Sequence, residues 1–479
     1  MSLKRFVKDT AVYGIATILP RVINVLLLRL FTNEMKTDQF SDATYFWIFA
    51  SLFNVLLTYG METSFFRFFT KLNKNKKVLN TAFSSILISS FIFLAVILFF
   101  RSQIAGILGF DVKYFTILVW VTFLDTLVVI PYAYLRVTNR PLRFAFYKIT
   151  NILFYVIAII FFFKFLPYLT DINPELSSIF QNNNNAVFIF YSSFFASAMT
   201  LVLFVPILIN FKFEIDKKLW KQMMRYGIPI MVAGLAYIIN ENLDKYLIRR
   251  MISPEIMGAY AATYKIGVFM SLYITAFRLG AEPFFFSQSK ESDAKQKYAT
   301  ILLWFTIVGS IFYVFVVAYM DIISSFFLKK QEYLITLAIV PVILLANLLL
   351  GIYYNLTIWY KLTDKTRFGM YLSVFGAIIT ILINILLIPV FGFMAAAWAT
   401  VAAYGSMAIV SYILSKKYYP IDYDIKKIAY YLLTSALLSY LIFKYFYDDL
   451  IIKTLIFTGY GLMIILLERK SLANMIQKQ

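Results

Sequence analysis

The sequence contains no cysteine and no histidine. The first absence removes disulfides, thiolate nucleophiles and the usual zinc sites; the second removes an imidazole base or a pH switch built on one. Neither a metal nor a cofactor is expected, and any catalysis would have to rest on carboxylates, lysines or hydroxyls. Charge is scarce too: Asp, Glu, Lys and Arg make up 15% of the 479 residues, against about 25% in soluble domains. No Gly-rich phosphate loop is present to bind a nucleotide. Long polar connections are also lacking. The longest on the expected outer side, from about Pro167 to Asn185 with its Asn182–Asn185 run, is too small to be a folded domain. A membrane glycan polymerase or ligase generally brings a sizeable soluble loop with paired carboxylates, so an enzyme is the disfavoured class.

What is abundant is apolar surface. With 61% hydrophobic and 19% aromatic residues and a mean hydropathy of +0.76, no soluble globule of this length could hide it, so lipid must solvate much of the chain. Fourteen apolar runs of spanning length can be counted, the first over residues 9–31 and the last over 450–467. The fold class is therefore an all-α polytopic membrane protein of about 14 transmembrane helices. No cleavable signal peptide is evident, since the first run is long and contains Arg21.

The net charge of +20 could suggest nucleic acid, but in a membrane chain it is better explained by the positive-inside rule, and no nucleic-acid partner is expected. If the N-terminus is cytoplasmic, that side collects the clusters Lys4–Lys8, Arg67–Lys77, Arg136–Arg143, Lys212–Arg225, Lys290–Lys297, Lys361–Arg367, Lys416–Lys427 and Arg469–Lys478. Both termini then face the cytoplasm. The pairs Arg249-Arg250 and Lys329-Lys330 fall on the opposite side and break the pattern.

The chain also repeats itself. Gly60-Met61-Glu62-Thr63-Ser64-Phe65-Phe66 closes the second run and Gly280-Ala281-Glu282-Pro283-Phe284-Phe285-Phe286 the eighth, both reading Gly-x-Glu-x-x-Phe-Phe. Tyr13-Gly14 opens the first run as Tyr226-Gly227 opens the seventh. The expected organisation is two six-helix bundles in parallel, pseudo-symmetric repeat, residues 1–211 and 212–415, followed by two additional helices and a tail over 416–479. In transporters built from parallel repeats, substrate sits at the interface between halves.

Charges at membrane depth are costly and mark candidate sites. On the first helix Thr10, Tyr13, Thr17, Arg21 and Asn24 recur at three- and four-residue intervals as a polar stripe, with Arg29 about two turns beyond Arg21. Asp125 lies near mid-depth of the fourth span, as a coupling carboxylate or as the partner that neutralises Arg21. Lys265 is central in the eighth. On the seventh, Glu241 and Lys245 are four apart in the favourable order beside Asp244, either a self-neutralised cluster or a gate. Glu62 and Glu282 are further ion-coupling or gating candidates, Glu282 with Arg278 as an i,i+4 pair.

Near the C-terminus, Asn384-Ile385-Leu386-Leu387-Ile388-Pro389-Val390-Phe391-Gly392-Phe393-Met394-Ala395-Ala396-Ala397-Trp398-Ala399-Thr400 resembles a signature of Wzx-type polysaccharide flippases, in the multidrug/oligosaccharidyl-lipid/polysaccharide exporter superfamily. Pro131-Tyr132-Ala133-Tyr134-Leu135-Arg136, with Asn139-Arg140-Pro141 and Phe144, is similar to the turn after that family's fourth helix. One departure is Ala395, where the family commonly has glycine. Physically the C-terminal motif needs no ligand: Pro389 and Gly392 are expected to make a tight turn, and the alanines a smooth packing face.

The resemblance implies flipping of an undecaprenyl-pyrophosphate-linked oligosaccharide across a bacterial inner membrane, as in O-antigen or lipopolysaccharide synthesis. Arg21, Lys265, Asn24 and Arg29 are the expected substrate-binding residues, Arg21 and Lys265 holding the pyrophosphate, with proton or sodium coupling and a monomeric protein. Within the same fold the alternatives are a lipid II flippase and a multidrug/cation antiporter; the fixed cations count against the latter.

Overall fold

The computed structural model describes residues 3–172, 184–289 and 291–477, and the side chains of those from 12 to 471 except 171. The chain is 88% helical, with no strand among the described residues. Among the described residues, thirteen segments are long and apolar enough to cross a membrane. The remaining long helix, Pro254–Gln288, has the length, 35 residues, but carries Glu255, Lys265, Arg278 and Glu282.

In chain order the helices are α1 (Leu3–Glu34), α2 (Thr37–Thr58), α3 (Met61–Lys71), α4 (Lys76–Phe99), α5 (Arg101–Leu108), α6 (Val112–Leu127), α7 (Val129–Val137), α8 (Pro141–Ile160), α9 (Leu166–Ile172) and α10 (Ala186–Leu208), with a π-helical turn (Phe161–Phe165) between α8 and α9. There follow α11 (Lys217–Met251), α12 (Pro254–Gln288), α13 (Ala294–Ala318), α14 (Met320–Phe327), a 3₁₀ turn (Gln331–Thr336), α15 (Ile339–Leu356), α16 (Ile358–Leu362), α17 (Arg367–Phe391), α18 (Phe393–Tyr418), α19 (Ile425–Tyr445) and α20 (Leu450–Gln477). The starts are locally encoded: the side chains of Asn75, Asp111 and Asp424 accept from the backbone N–H of Lys77 (2.9 Å), Lys113 (2.7 Å) and Lys427 (3.0 Å).

The order of breaks repeats between the halves. The third span breaks at Phe100 and the ninth at Tyr319, the fourth at Val128 and the tenth at Thr357. The Gly-x-Glu copies differ in backbone. Tyr59 (φ 33°) and Gly60 (φ 72°) are both left-handed and separate α2 from α3, whereas Gly280 lies inside the continuous α12.

The expected Pro389–Gly392 turn needs correction. Pro389 lies inside the last turn of α17, and Gly392 alone makes the break, with φ 63° and ψ −150°. A proline near a helix C-terminus removes one hydrogen bond without ending the helix. The alanine run behaves as expected: Ala396, Ala397 and Ala399 are fully buried where α18 packs on α15 and α17. In lipid, such close approach of small residues stands in for the missing hydrophobic force.

The chain divides into two compact units, Met1–Arg249 with Ser253–Gly258, and Arg250–Ile252 with Ala259–Gln479. In the first, one core gathers Phe65, Val78, Ala82, Ile86, Ile130 and Met223, and another Ala16, Tyr132, Leu135, Phe144 and Phe204. In the second, α15 is the most enclosed span and α19 and α20 pack on α13. Polar contacts at three depths hold those last two helices. Lys427 Nζ contacts Glu468 at 2.8 Å, Tyr460 donates to Ser310 at 2.8 Å, and Lys453 contacts Asp321 at 2.7 Å.

Candidate functional site

α1 has two exposed faces. Ile15 and Leu26 are 61% and 54% exposed on one, as suits a lipid-facing stripe. On the other, Thr17, Arg21 and Asn24 are exposed, following one another by four and three residues. The polar face is covered beyond Asn24, where Leu28 and Phe31 fall on the same line and are buried. Phe31 packs on Trp47 and Phe163, ring centroids 6.3 and 6.0 Å apart. Arg29 is exposed but eight residues on from Arg21, about 80° round the helix. Thr10 lies outside the residues whose side chains are described.

Asp125, on α6, accepts a hydrogen bond from Ser197 on α10 at 2.7 Å. Lys148 on α8 acts on it electrostatically. Lys148 sits 4.3 Å above the Tyr132 ring. One turn along α8, Asn151 donates to Thr200 at 2.8 Å, so α6, α8 and α10 enclose a polar patch. Sequence reasoning missed Lys148, Asn151, Ser197 and Thr200. The available signal was a lone lysine in the middle of an apolar run; its partners lie on other helices.

At the basic end of the first unit, Glu62 pairs with Arg136 at 3.0 Å. In the second unit Glu282 is held twice, by Arg278 at 3.0 Å and by Lys361 at 2.9 Å, while Arg278 lies 4.2 Å over the Tyr354 ring. Glu62 and Glu282 hold matching places in the repeat, and each meets a cation just past the break of the helix two spans on.

On α11, Asp244 and Lys245 are buried. Lys245 Nζ lies 3.1 Å from Asp244 Oδ1 and donates to the Glu241 carbonyl at 2.6 Å. Glu241 is half-buried, as is Lys265 on α12.

At the opposite end of the first unit from its basic clusters, Arg249 reaches Asp42 at 2.6 Å, donates to the Ser41 hydroxyl oxygen at 2.7 Å, and lies 4.7 Å over Tyr45. Asn184 donates to the other Asp42 oxygen at 2.6 Å. This clasp accounts for Arg249, which broke the charge pattern, and gives a structural use to the end of the asparagine run; Asn182 and Asn183 lie outside the described residues.

A family model for polysaccharide biosynthesis proteins matches residues 6–289, and the MatE family model matches residues 229–386. No curated protein matches the chain. Among solved structures, the lipid II flippase MurJ in an inward closed conformation is similar over 96% of this chain and 99% of that one, with TM-score 0.72 and 17% identity. An inward-facing multidrug resistance MATE family transporter of the MOP superfamily is similar over 89% and 96%, with TM-score 0.64 and 11% identity. A MOP superfamily transporter from Pyrococcus furiosus gives 86% and 94%, TM-score 0.60 and 11% identity. At these identities the likeness establishes the fold.

Proposed function

We propose, from the premise that this chain belongs to the polysaccharide biosynthesis protein family, that it flips a polyprenyl-pyrophosphate-linked oligosaccharide across the cytoplasmic membrane of a bacterium. Both termini lie in the cytoplasm, and the basic clusters line that side. The observation that carries the reading is the second exposed face of α1, where Thr17, Arg21 and Asn24 stand at membrane depth on the side of the helix away from Ile15 and Leu26. A lipid-facing helix has no use for such a stripe, whereas a hydrated path for a sugar and a diphosphate does. Arginine can grip a phosphate with two parallel hydrogen bonds, and Asn24 offers an amide to sugar hydroxyls. Lys265 is proposed as the corresponding cation of the second unit. The interior carboxylate Asp125 makes an ion gradient the proposed source of energy.

The test is a flipping assay in sealed vesicles with a fluorescent polyprenyl-pyrophosphate oligosaccharide, run beside lipid II and a cationic dye. The expected result is transport of the first alone, impaired by Arg21→Lys and nearly abolished by Arg21→Ala at normal protein level. Full flipping by Arg21→Ala, or preference for lipid II or the dye, overturns the reading.

A further inference from the structure

At the basic end of the second unit, two lysines gather on one tyrosine ring instead of on a carboxylate. The turn between α16 and α17 reverses at Asp364 (φ 56°), where the Lys365 N–H donates to the Tyr360 carbonyl at 2.9 Å. Lys365 Nζ then stands 3.7 Å from the centroid of the Tyr418 ring, and Lys417 Nζ 5.7 Å from it. That ring is fixed in place. It stacks on the fully buried Trp359 at 5.4 Å and 9° and meets Phe368 at 5.4 Å, while the Trp359 indole donates to Ser411 at 3.2 Å. Lys416, 4.7 Å over the Tyr412 ring, and Arg367 add two more exposed cations. Among the described residues, none of these four has a carboxylate within ion-pair distance.

The apolar surface beside these cations continues the same lines. On α17, Arg367, Tyr371, Phe375, Ile378 and Leu382 are exposed and follow one another by three or four residues; on α18, Ile409 and Ile413 lead at the same spacing to Lys417. Such residues share one helix face. Because α17 and α18 pack on each other, two apolar stripes end in cations at one end of one hairpin. That is the outline of an amphiphile with an anionic head. We propose that this end of the α17–α18 hairpin binds an anionic phospholipid of the cytoplasmic leaflet, with its phosphodiester on Lys365 and Lys417 and its acyl chains along the two stripes. The orientation is the one proposed above, and the inference does not depend on what the protein flips.

Charge balance favours an occupant. Two ammoniums gathered on one ring repel each other, and the negative face of the ring offsets only part of that repulsion. A phosphodiester supplies the rest, and at a membrane surface the attraction is stronger than in open water. Asp364, the carboxylate on the turn, is exposed and pairs with neither lysine. The rings also hold the lysine side chains before the ligand arrives, so less rotamer freedom is lost on gripping it. A soluble anion would use the cations and leave the stripes idle. A zwitterionic lipid brings its own ammonium, which the lysines repel. Lys361 is not part of this site, since Glu282 holds it at 2.9 Å.

Native mass spectrometry of the full chain in detergent, titrated with phosphatidylglycerol or with phosphatidylcholine, reads the bound lipid directly. The wild type should retain phosphatidylglycerol in preference. Lys365→Gln and Lys417→Gln should each weaken that binding about fivefold, and Lys365→Arg with Lys417→Arg should keep it. Lys217→Gln with Lys218→Gln, an exposed pair in the first unit, should leave it unchanged. Equal retention of the two lipids, or full binding by Lys365→Gln with Lys417→Gln, overturns the inference. So does an equal loss in the first-unit pair, because any basic cluster would then serve. Complete displacement by inorganic phosphate would assign the cations to a soluble anion, and by equimolar polyprenyl pyrophosphate to the carrier of the flipped sugar; either result also overturns it. The readout is binding, so a chain that flips no oligosaccharide still tests the site, and one that flips while retaining no phosphatidylglycerol sinks this inference alone.

Discussion

Gly60 and Gly280 occupy the same place in the two copies of Gly-x-Glu-x-x-Phe-Phe, yet replacing each with alanine should move stability in opposite directions. Gly60 has φ 72°, where an L side chain costs roughly 1–2 kcal/mol. Its new Cβ would also run into the backbone carbonyl of Gly227, and overpacking of that kind costs about 1–3 kcal/mol. Alanine has no rotamer with which to escape, so the terms add to about 2–5 kcal/mol lost. Gly280 is helical and exposed, and nothing lies within 4 Å of a Cβ built there. Gly280→Ala should therefore gain about 0.5–1 kcal/mol from reduced chain entropy. Gly227→Ala is a check on the packing part alone, because its Cβ would come 2.8 Å from the Tyr59 carbonyl without a left-handed backbone. It should lose less than Gly60→Ala, and the double variant should be non-additive. The assay is the apparent unfolding temperature in detergent, read from tryptophan fluorescence and from the folded fraction surviving size exclusion. Equal shifts for Gly60→Ala and Gly280→Ala would refute the reasoning, since the motif would then impose one backbone on both halves.

Two further outcomes concern clasps. Asp42→Asn or Arg249→Ala should each lose about 1.5–3 kcal/mol, the range for a hydrogen bond to a charged group, because both side chains are mostly shielded, 27% and 16% exposed; the exchange Asp42→Arg with Arg249→Asp should recover part of it, and no recovery in the melting temperature would count against a direct pair. Lys427→Met strands the Glu468 carboxylate, 3% exposed, and should lose at most the low end of roughly 3–5 kcal/mol since water reaches the lysine side. Adding Glu468→Gln should restore most of the melting temperature, and a double variant no better than the single would refute the stranded-charge account.

The span count, the helix-only fold and the repeat were legible because each is a one-dimensional property: apolar length, sign of the connecting charge, and a motif recurring in order. Arg278 with Glu282 was legible for the same reason, being four residues apart on one helix. What depends on tertiary pairing was not. Asp42 and Arg249 look like stray charges until α2 and α11 are seen side by side. Lys148 was absorbed into an apolar run whose hydropathy it barely lowers, and Ser197, whose hydroxyl meets Asp125, lies on another helix. Backbone breaks at Phe100, Val128, Tyr319 and Thr357 carry no glycine, so the usual punctuation was missing. Pro389 misled in the other sense, because its place in the last turn of α17 leaves the preceding helix intact.

The two copies of the repeated motif show which feature the halves share. In the first, Gly60 ends α2 outright; in the second, α12 runs on through Gly280 and Pro283. Proline inside a helix removes one hydrogen bond and crowds the carbonyl four residues earlier, so the second copy has its own means of locally disturbing the span without a left-handed residue. The backbone routes differ, but the destinations match, because Glu62 reaches Arg136 and Glu282 reaches Lys361. It is the carboxylate–cation pairing that repeats, and a pairing made with the protein's own cations needs no ligand to balance it. That sorts the carboxylates that sequence alone could only collect. Glu62, Glu282 and Asp244 each have a lysine or arginine nitrogen within about 3 Å. Asp125 differs from them in what it meets, a hydroxyl on a neighbouring helix, Ser197 at 2.7 Å.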